Sequence, residues 1–295
     1  MCSSQKRKRL AVASTSQSPL NPMWMGNTLS PPLLTRSCID YFERLSSLLR
    51  DPVYYGWGVR KGSGEPVLLI PGFFAGDWMM AAMARWLARI GYRPYLSGID
   101  WNVGCPGRTV ELLGWRIQKI ARESGIPLVL VGHSLGGMLA RSIAVRFPQR
   151  VRHLVMLGTP SRTESWAAIR PEWRAAVRAA QSLWSALGAA PRQCGTPQCE
   201  CAFALQSAPL PDTVDLSSIY TRSDEVIDWP TCIDPRAQNH EVPGGHLSLP
   251  INRHVYRLLA EILVGTHKQP AKPARRESLA PKRRLSGNPS PPNCI

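Results

Sequence analysis

Between residues 37 and 267 the chain alternates short continuous apolar runs with longer stretches whose apolar positions recur every three or four residues. Residues 66–70 (PVLLI), 127–131 (PLVLV) and 151–157 (VRHLVML) are runs of the first kind, bounded by Gly, Pro or polar residues, and predict strands buried within a sheet. Residues 92–98 and 216–221 predict two more. The second pattern predicts helices. Residues 39–49 form a short amphipathic stretch, and Asp77 stands as an N-cap before a helix through Ile90 with Met83, Leu87 and Ile90 on its apolar side. Val110, Leu113, Ile117 and Ile120 keep helical spacing within 108–123, residues 138–145 continue the pattern, and 252–264 close it. Strands and helices alternating at this pitch predict an α/β protein with a mostly parallel sheet and helices on both faces.

The alternation breaks between residues 161 and 216. A helical segment there bears Trp166, Trp173 and Trp184, and a Cys- and Pro-rich stretch follows, which reads as a helical cap inserted over the ligand end of the sheet. Trp173, Val177, Ala180 and Trp184 share one helix face, while Arg170, Arg174 and Arg178 repeat every four residues on another. Two functions suit that helix: ordinary packing with a solvated basic face, or a lid that lines an acyl chain and turns its basic side to lipid or an anionic head group. Residues 1–36 read as an irregular basic leader and 268–295 as a disordered basic tail.

The most informative chemistry sits at the end of the run 127–131. Gly132, Ser134 and Gly136 form a G-x-S-x-G pattern between a strand and a helix. A serine on so sharp a turn is held in a strained conformation, with glycine leaving room on either side. The turn exposes the hydroxyl and aims the N–H groups of the next helix at developing negative charge. The five residues alone are a weak signal, because this chain's Gly and Ser frequencies suffice to produce them by accident; the flanking strand and helix carry the weight.

A serine hydroxyl is a poor nucleophile at neutral pH and needs a base oriented by a carboxylate. Asp224 lies on the loop after the strand 216–221; Asp228, a turn further on, is the weaker candidate and suits a helix cap or ion pair. His246 lies on a glycine-loosened loop between the last strand and the last helix and is the expected base. His240, His254, His133 and His153 compete less well, being placed at a strand start, inside a helix or beside the elbow, where packing is the usual role. The backbone N–H groups of Leu135 and Phe73 are the expected oxyanion donors, with Gly72 allowing close approach; Phe73 and Phe74 equally suit the walls of an acyl pocket.

With these residues assembled, the chain resembles the α/β-hydrolase superfamily, in its bacterial esterase and triacylglycerol-lipase-like branch. Residues 71–73 (PGF), 132–137 (GHSLGG), 221–224 (TRSD) and 245–246 (GH) carry the resemblance, which covers about residues 55–265. Pro71 departs from the commoner His-Gly form of the first motif and removes one supporting hydrogen bond near the oxyanion loop. The resemblance implies a serine hydrolase of carboxylic esters that works without a cofactor, through an acyl-enzyme on Ser134. An acyltransferase or thioesterase would use the same intermediate. A non-catalytic binding protein on this fold is a third reading, against which the Ser, Asp and His set argues.

Charge and cysteines change this picture little. The net charge is +16, but ten of those charges lie in residues 6–9 and 268–295, so the body is only mildly basic and nucleic acid is not the expected partner. The tails suit contact with an anionic membrane. No secretory signal or membrane span is evident, which predicts a cytoplasmic protein or a peripheral membrane one. Cys194, Cys199 and Cys201, with Cys232 as a fourth thiolate, invite a zinc reading, but the spacing matches no standard finger, and neither metal nor cofactor is expected.

Overall fold

Alternate residues of each central strand are committed to opposite apolar layers, and this organises the molecule. The computed structural model describes residues 31–161, 165–186 and 208–265. Strands β1 (Pro66–Ile70), β2 (Arg93–Leu96), β3 (Leu128–His133), β4 (Val151–Leu157), β5 (Asp215–Tyr220) and β6 (Gln238–Glu241) form one sheet in the order β2-β1-β3-β4-β5-β6, with every pairing parallel. In β1, Val67 and Leu69 face one layer with Val129, Val131, Val155 and Leu157, whereas Leu68 and Ile70 face the other with Leu130, Leu154 and Met156. Apolar residues at consecutive positions are what a parallel sheet covered on both faces requires.

Helices α1 (Pro31–Arg50), α2 (Asp77–Arg89) and α7 (Arg253–Gly265) cover the first face. Helices α3 (Pro106–Ser124) and α4 (Leu135–Arg146) cover the second, where Val110, Leu113, Ile117 and Ile120 are buried as their spacing predicts. On the first face Met83, Leu87 and Ile90 are buried with Trp86, whose indole N–H donates to Val53 O at 2.8 Å and whose ring lies 4.7 Å from that of Tyr256.

Three local expectations need correction. The leader is helical from Pro31 onward: two prolines in the first turn of α1 sit where their missing N–H groups cost nothing. Gly76, not Asp77, is the N-cap of α2; the Asp77 carboxylate reaches across to the loop that follows β2 and accepts from Ser97 N (3.0 Å), Ser97 Oγ (2.6 Å) and Gly98 N (2.7 Å). In the segment read as a cap, α5 (Ser165–Ala168) and α6 (Pro171–Ala186) form, and Trp173, Val177, Ala180 and Trp184 are half-buried. The basic stripe of α6 is not uniformly solvated, since Arg174 turns back to donate to Ile169 O at 2.6 Å and Ala167 O at 3.0 Å. Residues 268–295, most of the leader, and Cys194, Cys199 and Cys201 lie outside the described residues.

From β1 the chain passes to β2 on one side and then to β3 on the other. That reversal opens a crevice at the carboxyl ends of β1 and β3. The approach of α4 to this end is close: a Cβ on Gly136 would stand 2.5 Å from Pro71 O and nearer still to Ile70 O. Both atoms are backbone and cannot yield as a flexible side chain would. Gly136→Ala is therefore expected to destabilise the fold by about 1–3 kcal/mol, read from the denaturant midpoint at unchanged m-value.

Candidate active site

Ser134 follows β3 directly and precedes α4, and its backbone is at φ 52° and ψ −121°, a positive φ that costs a non-glycine residue about 1–3 kcal/mol. The neighbours hold it there. Ser134 N donates to Leu157 O at 2.9 Å, the hydroxyl of Thr159 donates to Ser134 O at 3.0 Å, and Gly137 N donates to the same oxygen at 2.9 Å. Glycine is required on both sides by contact: a Cβ on Gly132 would meet Gly136 backbone at 2.5 Å, and one on Gly137 would meet Thr159 Cβ at 2.8 Å. The strained turn leaves Ser134 partly exposed above an otherwise buried strand end.

The loop after β1 lies against this turn. A Cβ on Gly72 would stand 3.2 Å from Ser134 Cβ and 2.9 Å from His133 Nδ1, so only glycine lets the loop come so near. Next to it Phe73 is half-buried and Phe74 takes φ 59°. The bond forfeited by Pro71 has a substitute that the sequence pattern did not reveal. Asn102, buried in the loop between β2 and α3, donates from Nδ2 to Pro71 O at 2.8 Å, while its backbone accepts from Phe74 N at 3.2 Å and donates to Ala75 O at 2.8 Å. The N–H groups of Phe73 and Leu135 thus belong to two segments fixed beside one serine. Phe74 packs edge-on against Phe73, Trp101 and Trp184, with ring centroids at 5.4, 6.1 and 5.3 Å. α6 is in this way tied to the expected oxyanion loop.

Asp224 and His246 are brought together. His246 Nδ1–H donates to Asp224 Oδ2 at 2.7 Å, with both side chains almost wholly buried. The other carboxylate oxygen accepts from Val226 N at 2.9 Å and Ile227 N at 2.6 Å, so Asp224 is held on both sides. Burial opposes a charge on His246, yet Asp224, through its charge and its hydrogen bond, and Glu225 outweigh it and raise the imidazole above its ordinary value. Asp228 takes a different place: it precedes the short 3₁₀ turn Trp229–Cys232, its side chain makes no capping bond, and its N–H pairs with Ala168 O at 2.8 Å.

His246 is fixed to the elbow through His133. The ring centroids are 4.9 Å apart, and His133 Nε2 donates to His246 O at 3.0 Å. A carbonyl only accepts, so His133 carries its proton on Nε2; burial, and then the neighbouring His246, push its pKa down to about 3 and keep it neutral. His153 is a packing residue within the sheet, bonded to Ser217 Oγ at 2.9 Å, with its pKa pushed down to about 4 by burial and Arg152. His240 lies in β6 and His254 in the first turn of α7. Cys232 is buried, and burial together with the nearby Asp224 raises its thiol far above the ordinary value. The three cysteines that would complete a zinc site with it lie outside the described residues, and the described residues contain no cluster of three or more metal-binding side chains.

Parts of the chain are similar to known hydrolases and lipases. Residues 109–211 match the model of a family described by the alpha/beta hydrolase fold. A triacylglycerol lipase of Pseudarthrobacter phenanthrenivorans is 32% identical over 111 residues, which is 35% of this chain and 35% of the lipase. A (lyso)-N-acylphosphatidylethanolamine lipase of Mus musculus is 46% identical over 67 residues, 21% of this chain and 20% of that protein. The chain spans about a third of the length of the first curated relatives it matches. Among solved structures, a monoacylglycerol lipase of Paleococcus ferrophilus aligns over 70% of this chain and 97% of its own, at 16% identity and a TM-score of 0.48. The family match includes the serine turn but ends before residues 224 and 246.

Proposed function

We propose that this chain, whose residues 109–211 match the alpha/beta hydrolase family model, is a serine hydrolase of carboxylic esters, with Ser134 as nucleophile, His246 as base and Asp224 as the orienting acid. The observation that supports this most is the buried 2.7 Å bond between Asp224 and His246, made beside the strained Ser134 turn by residues 90 and more positions away from it in sequence. His246 Nε2 takes the hydroxyl proton as Ser134 Oγ bonds to the ester carbonyl carbon, and Asp224 holds the imidazolium that results. The carbonyl oxygen, now negative, accepts from the N–H groups of Phe73 and Leu135. Collapse expels the alcohol, to which His246 returns the proton. Water, activated by the same imidazole, then releases the acid. No metal or cofactor enters these steps.

The substrate class is an acyl ester of lipid character. The aromatic group of Phe73, Phe74, Trp101 and Trp184 beside the oxyanion loop supports an apolar acyl moiety, and relatives named as lipases agree. The proposed organisation is a hydrolase domain over residues 37–267 with a cap inserted at about 161–216. No described helix is long and apolar enough to cross a membrane. A cytoplasmic location, with the basic tails meeting anionic membrane, is the matching proposal.

A fluorophosphonate probe tests the assignment directly. One label per chain on Ser134 is expected, with p-nitrophenyl ester turnover that varies with acyl length. Labelling elsewhere, or wild-type turnover by Ser134→Ala, would reject it.

A further inference from the structure

Two carboxylates outside the triad grip the backbone that bears His246. Asp40, on α1, accepts through Oδ2 from Gly245 N at 3.0 Å and from the Ser248 hydroxyl at 2.5 Å. Glu225 accepts through Oε2 from His246 N at 2.8 Å, while its Oε1 accepts from the hydroxyl of Ser37 on α1 at 3.2 Å. The fit is tight: a Cβ on Gly245 would stand 2.9 Å from Glu225 Oε2 and 3.1 Å from Asp40 Oδ2. With His133 donating to His246 O, both backbone polar groups of His246 are tied to side chains, one to the acid loop and one to the serine turn.

The chemistry of this arrangement is more than packing requires. Asp40 and Glu225 add negative charge beside Asp224, and like charges in one place carry an electrostatic cost that neutral residues would avoid. Burial would raise the Asp40 carboxyl, but bonds from Ser248 and Gly245 and the neighbouring Arg44 hold it below its ordinary value. A cavity of about 640 Å³ at this place is lined by Arg36, Arg44, Arg170 and Arg222 as well as by the acids, so the local charge is balanced. α1 itself leaves Ile39, Phe42 and Leu49 exposed, and polar contacts account for much of its attachment at this end. Bonds from a backbone N–H to a carboxylate are roughly twice as strong as neutral ones, and they fix the donor's direction.

We propose that Asp40 and Glu225 are positioning residues for the ester-cleaving reaction, a carboxylate clamp through which α1 and the acid loop together set the place of His246. The clamp rests on the reading of His246 as the base. Its consequence is that α1, legible in the sequence only as a short amphipathic stretch over residues 39–49, belongs to the machinery of the reaction. Displacing a base by about 1 Å can cost about 10²-fold in rate without changing what the substrate touches.

The experiment compares Asp40→Ala, Glu225→Ala and Glu225→Gln in the full chain, with His246→Ala in parallel and fluorophosphonate titration to count competent molecules. Asp40→Ala and Glu225→Ala should lower kcat per titrated site by about 10²-fold, with KM within about twofold. Glu225→Gln keeps an oxygen for His246 N and an amide for Ser37 Oγ, so it should restore most of kcat. It should also move the acid limb of kcat/KM to lower pH. The groups facing the imidazole are Asp224, Glu225 and His133, with Asp40 and Arg44 beyond Gly245, and removing one negative charge weakens the protonated form. A purely structural role would move stability and leave kcat per titrated site unchanged. If His246→Ala turned over ester like the wild type, the triad reading would fail and the clamp with it. If His246→Ala were inactive while Asp40→Ala and Glu225→Ala kept kcat per titrated site within twofold, the clamp alone would be overturned.

Discussion

Replacing His246 with alanine is expected to lower kcat on a p-nitrophenyl ester by at least about 10³ at pH 8 and to abolish the acid limb of the pH profile. As the proposed base, His246 would work only when neutral, so kcat/KM should rise as pH passes upward through its pKa. That pKa lies above the ordinary imidazole value, since Asp224 and Glu225 outweigh the opposing effect of burial. The limb of the wild type is therefore displaced to higher pH than a free histidine would give. No other described histidine is arranged to replace it: His240 lies in the edge strand β6, His133 and His153 are held neutral far below this range, and His254 is also shifted down, by burial and by the charges of Arg253, Arg257 and Arg44. Residual turnover by the variant should thus be flat where the wild type climbs. A variant with wild-type kcat, or one that keeps the same limb, would require a different base. Competitive binding of a product-like carboxylic acid, measured alongside, should change little, because the lost group acts on the proton rather than on the substrate's apolar part.

The sequence disclosed the centre of this fold better than its edges. β1, β3 and β4 are apolar at nearly every position because both faces of the sheet are covered, and α3 places Val110, Leu113, Ile117 and Ile120 on one buried stripe. Such patterns survive reading one residue at a time. β6, with the sequence QNHE and mostly exposed side chains, has no such pattern, as an edge strand needs none. The serine turn was legible because its strain demands glycine at fixed offsets. Asp224 and His246 followed from loop position and chain order, and the structure sets them in contact. Asn102, Asp40 and Glu225 were not legible. Their work is to accept or donate a bond to backbone of another segment, 31 positions away for Asn102 to Pro71 and 205 for Asp40 to Gly245. No local periodicity encodes a partner at that distance. The Asp77 cap was misread for a related reason: the residue type suits an N-cap, but the carboxylate had a better offer of three donors at Ser97 and Gly98.

Asp224→Asn should be nearly as damaging as loss of the base, about 10⁴-fold in kcat, although it changes one atom and leaves the fold intact. The reason lies in the donors around the side chain. One carboxylate oxygen accepts from two backbone N–H groups, of Val226 and Ile227, and the other accepts from His246 Nδ1–H. An asparagine has one oxygen to offer. Turning it toward Val226 and Ile227 satisfies two donors and points the amide N–H₂ at His246 Nδ1, which must then become the acceptor. The imidazole proton moves to Nε2, the atom that has to receive the serine proton, and the base is blocked. Turning the amide the other way would set its N–H₂ against two backbone N–H groups, leaving buried donors unpaired at about 1–3 kcal/mol each. The first orientation wins, so the variant should hold its thermal midpoint within a few degrees while both turnover and fluorophosphonate labelling slow together. Asp228→Asn is the matched control, since that side chain makes no capping bond and its backbone contact survives the change. Turnover by Asp224→Asn within tenfold of the wild type, with Asp228→Asn the more damaging, would transfer the orienting role from residue 224 to residue 228.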